Sequence, residues 1–283
     1  MNFIGKTLAL DCSGMNAVAA ALNVQPQKIW AVLHVEAAEC GFLPDRRPVI
    51  LFERHIFHRL TGGAFDSTHP GICNPRQGGY GAPGASQYTR LNQAMALNPE
   101  AALQSTSWGI GQVLGRYFRL AGYPDVETMV AAMIESEDAQ LDAFRAYLQS
   151  TRLAAPLQAH DWAAFARGYN GPDYAANHYD TQLSAAFRKF SSDPLPDLNV
   201  RAAQLYLTLR GYAPGGIDGI AGQHTLKAIL DFQASVGLPQ TGDLDDATMS
   251  ALVPPPPTST ANGRQSGLAE GKDRLGPSYP SVT

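Results

Sequence analysis

Apolar residues recur every three to four positions over most of the chain and alternate with polar ones almost nowhere. Ile29, Val32, Leu33 and Glu36 fall at i, i+3, i+4 and i+7, one face of a 3.6-residue helix with a glutamate among its apolar positions. Leu141, Phe144 and Leu148 follow the same period, as do Trp162, Phe165, Ala166 and Tyr169, and then Leu183, Ala186, Phe187 and Phe190. The pattern predicts helices over 16–22 and from about Pro26 to Cys40, with proline in the first turn and Gly41 as the stop. From Tyr88 to Phe190 it predicts helix throughout, with a start at Asn98-Pro99-Glu100 and a break at Asn170-Gly171-Pro172. Strand character is confined to Val49–Phe52, an apolar run that ends in Glu53, Arg54 and His55. Between these, residues 62–84 are rich in Gly, Pro, Asn and Ser and predict a long surface loop. The fold class is mainly α.

A Ser-Ser-Asp-Pro-Leu-Pro linker at 191–196 separates a large unit, residues 1–192, from a small one, residues 197–253. The small unit holds a near-repeat. Gly211-Tyr212-Ala213-Pro214 leads to Thr225-Leu226, and Gly237-Leu238-Pro239 leads to Thr248-Met249. With a helix over 199–210 ahead of both, this predicts a three-helix module that carries no catalytic cluster and reads as a binding or docking piece. As an anchor, its removal is expected to weaken attachment and leave some activity. Residues 254–283 are dominated by Pro, Gly and Ser and are expected to be a disordered tail.

Composition narrows the function classes. The 283 residues carry a net charge of −4, so bulk charge does not point to nucleic acid. No apolar run approaches the roughly 18 residues of a membrane span, and 1–10 make a poor signal peptide, so synthesis in the cytoplasm is expected. Cys12, Cys40 and Cys73 are odd in number and lack metal-type spacing, which reads as buried free thiols.

The candidate chemistry lies in the two carboxylates, Glu36 and Glu53, 17 residues apart and both in apolar surroundings. Glu36 reads either as one half of an ion pair or as an acid whose proton affinity burial has raised, and Glu53 either as one half of an ion pair or as a second, ionised carboxylate that positions water or steadies the transition state. Cleavage of a glycosidic bond needs two carboxyls in different environments. His34, His55 and His58 lie near both, but no third ligand stands at a recognisable spacing. No metal and no cofactor is assigned.

Three stretches in order carry a resemblance: Val35-Glu36-Ala37-Ala38, then Ser107-Trp108-Gly109-Ile110-Gly111-Gln112, then Gly168-Tyr169-Asn170-Gly171-Pro172. This set resembles the lysozyme-like superfamily that includes goose-type lysozymes and lytic transglycosylases. Ala37 stands where many of its members have Ser. Over residues 15–190 the chain is more closely similar to the N-acetylmuramidase domain of modular phage endolysins, through Gly41–Asp45, Ile50–His55, Gly78-Gly79-Tyr80, Tyr88–Leu91 and 161–174. Residues 197–253 resemble a three-helix peptidoglycan-binding domain. The resemblance implies a lysozyme-like catalytic domain that hydrolyses the bond between N-acetylmuramic acid and N-acetylglucosamine. It implies Glu36 as general acid, Glu53 as second carboxylate, and Gln112, Tyr169, Asn170, Ser107 and Tyr80 along the sugar groove. The implied partner is the peptidoglycan glycan strand, bound by a monomer without nucleic acid or membrane. The same residues leave open a lytic transglycosylase, a secreted antibacterial effector and a non-catalytic wall binder.

Overall fold

The protein is described here by a computed structural model over residues 2–36 and 40–255, without the side chain of Asp173. Ala37 and the expected tail from 256 onward lie outside the described residues. The chain opens with α1 (Cys12–Leu22) and α2 (Pro26–Glu36), and Asp11 caps α1 by accepting from the Gly14 N–H at 2.8 Å. A three-residue strand β1 (Ile50–Phe52) leads into α3 (Arg54–Thr61). The expected loop follows, and then α4 (Ser86–Leu97) and α5 (Pro99–Gln104), with Asn98 as the predicted cap.

Next come β2 (Thr106–Trp108) and β3 (Val113–Leu114), which the sequence reading placed in continuous helix. Every residue of both strands is buried, so no alternation marks them, and they are too short for periodicity to register. The sheet runs β1-β2-β3 and is antiparallel throughout, with Leu51 opposite Ser107 and Ser107 opposite Leu114.

The rest of the large unit is helical: α6 (Val126–Met133), α7 (Glu137–Ser150), α8 (Ala154–Ala159), α9 (Trp162–Asn170) and α10 (Tyr179–Ser192). Leu141, Phe144, Leu148, Phe165, Ala166, Tyr169 and Leu183 are all buried, as the spacing requires. α10 packs along α2, with the Phe190 ring against Trp30 at 6.2 Å and edge-on to His34 at 5.7 Å. The described part of α2 ends at Glu36, and Gly41 lies outside it at a bend, its carbonyl accepting from the Val49 N–H at 2.9 Å.

The small unit is the expected set of three helices, α11 (Leu198–Leu209), α12 (Gln223–Ser235) and α13 (Asp246–Leu252). Its near-repeat has a physical counterpart. Gln204 on α11 accepts from the Gly219 N–H at 2.8 Å and donates to Thr225 Oγ1 at 3.2 Å. Gln233 on α12 accepts from the Gly242 N–H at 2.9 Å and donates to Thr248 Oγ1 at 3.0 Å. One buried glutamine per unit thus locks a glycine turn to the following helix. The core of this module includes Ala203, Leu207, Ile229, Phe232 and Leu252, and also Ala9, Cys40 and Phe42 of the large unit.

Candidate active site

Glu36 stands at the last described position of α2 and is 1% exposed. Its Oε1 accepts from Asn170 Nδ2 at 2.9 Å, and its Oε2 has no protein partner. Burial pushes the carboxyl up to about 7, against the opposing pull of the Asn170 amide. The alternative of a helix-face glutamate paired to a nearby cation does not describe this group, whose partner among the described residues is the Asn170 amide.

Glu53 ends β1 and begins α3, with its backbone N–H bonded to Ser105 O at 2.8 Å in continuation of the sheet. Its side chain is fully buried and neither oxygen has a hydrogen bond. Burial raises it to about 8, with the Arg59 charge pulling the other way. The expected rival, an ion pair with Arg54 or another arginine, is not formed among the described residues, and Arg54 Nε donates to Arg76 O at 3.2 Å instead. His55 Nδ1 is 3.4 Å from Glu53 Oε2, but burial and the charges of Arg59, Arg54 and Arg116 lower the imidazole to about 4. At neutral pH His55 is therefore uncharged and does not compensate Glu53.

The Gly109–Gln112 turn connects β2 to β3 and lies beside both glutamates' elements. Gly109 has φ +68, and a Cβ there would come within 2.4 Å of Gln140, so the turn needs glycine. Gln140 on α7 accepts from the Ile110 N–H at 2.7 Å and donates to Met133 O at 2.8 Å. Gln112 donates to Gly109 O at 2.8 Å and Val49 O at 3.3 Å, which ties the turn to β1's approach. Tyr169 donates to Gly111 O and is stacked on Phe165. Its neighbour in sequence, Asn170, reaches Glu36, so the end of α9 joins the turn to the α2 carboxyl.

Ser107 lies in the buried centre of β2, and Tyr80 is half-buried in the loop ahead of α4, its carbonyl held by Gln87 Nε2 at 2.8 Å. Tyr179, at the start of α10, was not singled out from sequence. Burial raises its phenol, and so do the fields of Glu36 and Tyr80, which puts all three in one neighbourhood. The available signal was its place four residues ahead of Leu183, on the same apolar face as Ala186 and Phe190.

Among the described residues, eleven buried side-chain nitrogen or oxygen atoms have no hydrogen-bond partner, and seven belong to Glu36, Glu53, His55, Gln112 and Asn170. Buried polar atoms are ordinarily satisfied, so such a concentration marks a site built for something other than stability.

Comparison with known families agrees with this geometry. Residues 25–191 match the family model described as N-acetylmuramidase. The chain belongs to the N-acetylmuramidase family. It is a peptidoglycan hydrolase of the glycosidase type, and its partner is peptidoglycan. Residues 196–252 of this muramidase match a second family, described as a putative peptidoglycan binding domain. The muramidase is also similar to the crystal structure of the Burkholderia AP3 phage endolysin, at 40% identity and a TM-score of 0.60. That likeness covers 65% of this chain and 71% of the endolysin's. No helix among the described residues is long and apolar enough to cross a membrane.

Proposed function

We propose that this muramidase is an endolysin-type enzyme that hydrolyses the β-1,4 bond between N-acetylmuramic acid and N-acetylglucosamine, with Glu36 as general acid and Glu53 as the second carboxylate. The observation that carries the reading is the state of Glu36. Its Oε1 is occupied by Asn170, so the proton of the neutral acid resides on Oε2, the oxygen with no protein partner. A carboxyl held protonated near neutral pH, with its proton on a free oxygen, is equipped to protonate a glycosidic oxygen. Glu53, raised to about 8, is ionised in only a minor fraction at neutral pH; in that form it directs a water or balances the oxocarbenium-like charge, and Arg59 supplies the field that favours it. Asn170 orients the acid. Gln112 and Tyr169 brace the turn between the two carboxyls, with Gln112 Oε1 left to meet a sugar donor. Ser107 and Tyr80 complete the groove. The protein works as a monomer, made inside the cell and reaching the wall after release through membrane holes or by export.

The test is product analysis on purified sacculi. Hydrolysis leaves reducing N-acetylmuramic acid ends, and mass spectrometry showing 1,6-anhydro ends instead would replace this mechanism by a lytic transglycosylase using one acid. Glu36→Gln and Glu53→Gln are each expected to reduce lysis at least about 100-fold, the low end of what positioned acid-base groups contribute. Retained lysis in Glu36→Gln would remove the acid role.

A further inference from the structure

The loop after α3 holds a second cluster of reactive side chains away from the glutamates. His58 comes from the last turns of α3, Asp66 from the turn that follows, and Cys73 from the loop itself. Their side-chain donor atoms all lie within 4.8 Å of one another. His58 Nδ1 is 2.9 Å from Asp66 Oδ1 and 2.8 Å from Oδ2, and Cys73 Sγ is 2.9 Å from the same Oδ1. The backbone closes tightly around them. Gly63 has φ +73, and a Cβ there would stand 3.0 to 3.2 Å from the His58 ring and the Asp66 carboxylate.

This is not the layout of a cysteine nucleophile. The carboxylate, not the imidazole, faces the sulfur, and burial together with Asp66 raises the thiol rather than activating it. One imidazole, one carboxylate and one thiol converging on a point are the donors of a zinc ion.

We propose that His58, Asp66 and Cys73 bind a zinc ion that fastens the loop over 62–84 to α3. A thiolate and a carboxylate together neutralise the dication, and neutral His58 completes a three-residue donor set without leftover charge. Zinc bonds of about 2.0–2.3 Å in a tetrahedron separate ligand atoms by about 3.3–3.8 Å. The three donors therefore open slightly from their present contacts, and the room exists because the His58 and Asp66 side chains are 27% and 36% exposed. The same opening lets water take the fourth position. Binding sends the Cys73 thiol proton to solvent, and His58, whose Nδ1–H now donates to Asp66, gives up that proton, takes one on Nε2 and presents Nδ1 to the metal. Thr61 Oγ1, 3.7 Å from Cys73 Sγ, stands ready as a partner to the bound sulfur.

The ion would act on a stretch without regular secondary structure. Residues 62–84 contain neither helix nor strand, yet they carry Tyr80 and follow directly on α3, whose first residue comes after Glu53. The Asn74 N–H already bonds Arg54 O at 3.3 Å, so a clamp at Cys73 also steadies the approach to that carboxylate.

The experiment uses the full chain, stripped with EDTA and exchanged into chelator-free buffer. Added Co²⁺ should give a thiolate-to-metal charge-transfer band saturating at one ion per chain. Zn²⁺ should displace it, raise the Tm by several degrees and slow proteolytic nicking within 62–84. Cys73→Ser should lose the band, and His58→Gln should lose the Zn²⁺-dependent rise in Tm while remaining folded by circular dichroism. Absence of a band and of any Tm response in the stripped wild type overturns the site. So does a Zn²⁺ response that is undiminished in both variants, which would assign the metal elsewhere.

Discussion

Asn170 Nδ2 holds Glu36 Oε1 at 2.9 Å, and among the described residues this is the one hydrogen bond the buried acid's side chain receives. The amide favours the ionised form, so it moderates the effect of burial. Asn170→Ala removes that moderation and raises the Glu36 pKa further. A hydrogen bond to a charged group is worth about 1.5–3 kcal/mol, so the alkaline limb of the rate profile should move up by about one pH unit or more. The maximal rate should fall because the acid loses its orientation. Initial lysis rates on permeabilised cells across pH read both effects, and an unmoved limb would detach Asn170 from the acid.

The two buried glutamates also make stability depend on pH. Both fold values, about 7 and about 8, lie above the ordinary carboxylate value of 4.5. Between those limits the unfolded chain has released protons that the folded chain retains, so stability falls as pH rises from about 4.5 to about 8. Glu36→Gln and Glu53→Gln abolish that loss. Each is expected to unfold at a higher Tm than the wild type at pH 8, by the equivalent of roughly 2–4 kcal/mol, and to differ little at pH 4.5. Calorimetry at the two pH values decides. The stabilised, inactive variants would show what the site gives up for its chemistry.

The small module is more than an attachment. Arg201 on α11 makes bonds of 2.5 and 2.8 Å to Glu137 at the start of α7, and both side chains are fully buried. Glu137 also accepts from the N–H groups of Leu10 and Gly41 at 2.8 Å each. Burial alone would raise Glu137, but Arg201 and these donors hold it below the usual carboxylate range. Arg201→Met leaves a buried carboxylate without its cation and should destabilise the whole chain by about 3–5 kcal/mol. Glu137→Gln combined with Arg201→Met should recover part of that loss, as a denaturant titration can show.

Cutting the chain at residue 196 should likewise cost most of the activity. It would expose Ala9, Cys40 and Phe42 and strand Glu137. The sequence alone leads to an expectation of weakened attachment with some activity left. Lysis by the truncated chain at the wild-type rate, with a normal Tm, would overturn the dependence of the large unit on the small one.

What could be read from the chain follows from how local each feature is. The amphipathic helices were legible because their apolar faces repeat within one element, and Glu36 and Glu53 stood out as carboxylates interrupting such faces. β2 and β3 were not, because Thr106-Ser107-Trp108 is buried on both sides and leaves no polar alternation to see. Cys12 was expected inside and is exposed, since it occupies the first position of α1, where the helix faces solvent. The pairing of Glu137 with Arg201 joins residues 64 apart in sequence, each unremarkable on its own helix. His58, Asp66 and Cys73 were invisible as a set for the same reason: an irregular loop brings them together at spacings of eight and seven residues, with no period to announce them.

The weld through Arg201 changes what wall binding means for cleavage. A module on a flexible tether raises the local concentration of enzyme and lets it sample every bond within reach. Here Gly41, a few residues beyond Glu36, is bonded to the same carboxylate that grips the wall-binding module. A muramidase held this way is expected to act as a ruler rather than a leash, so that fragments released from long glycan strands cluster in length instead of spreading evenly.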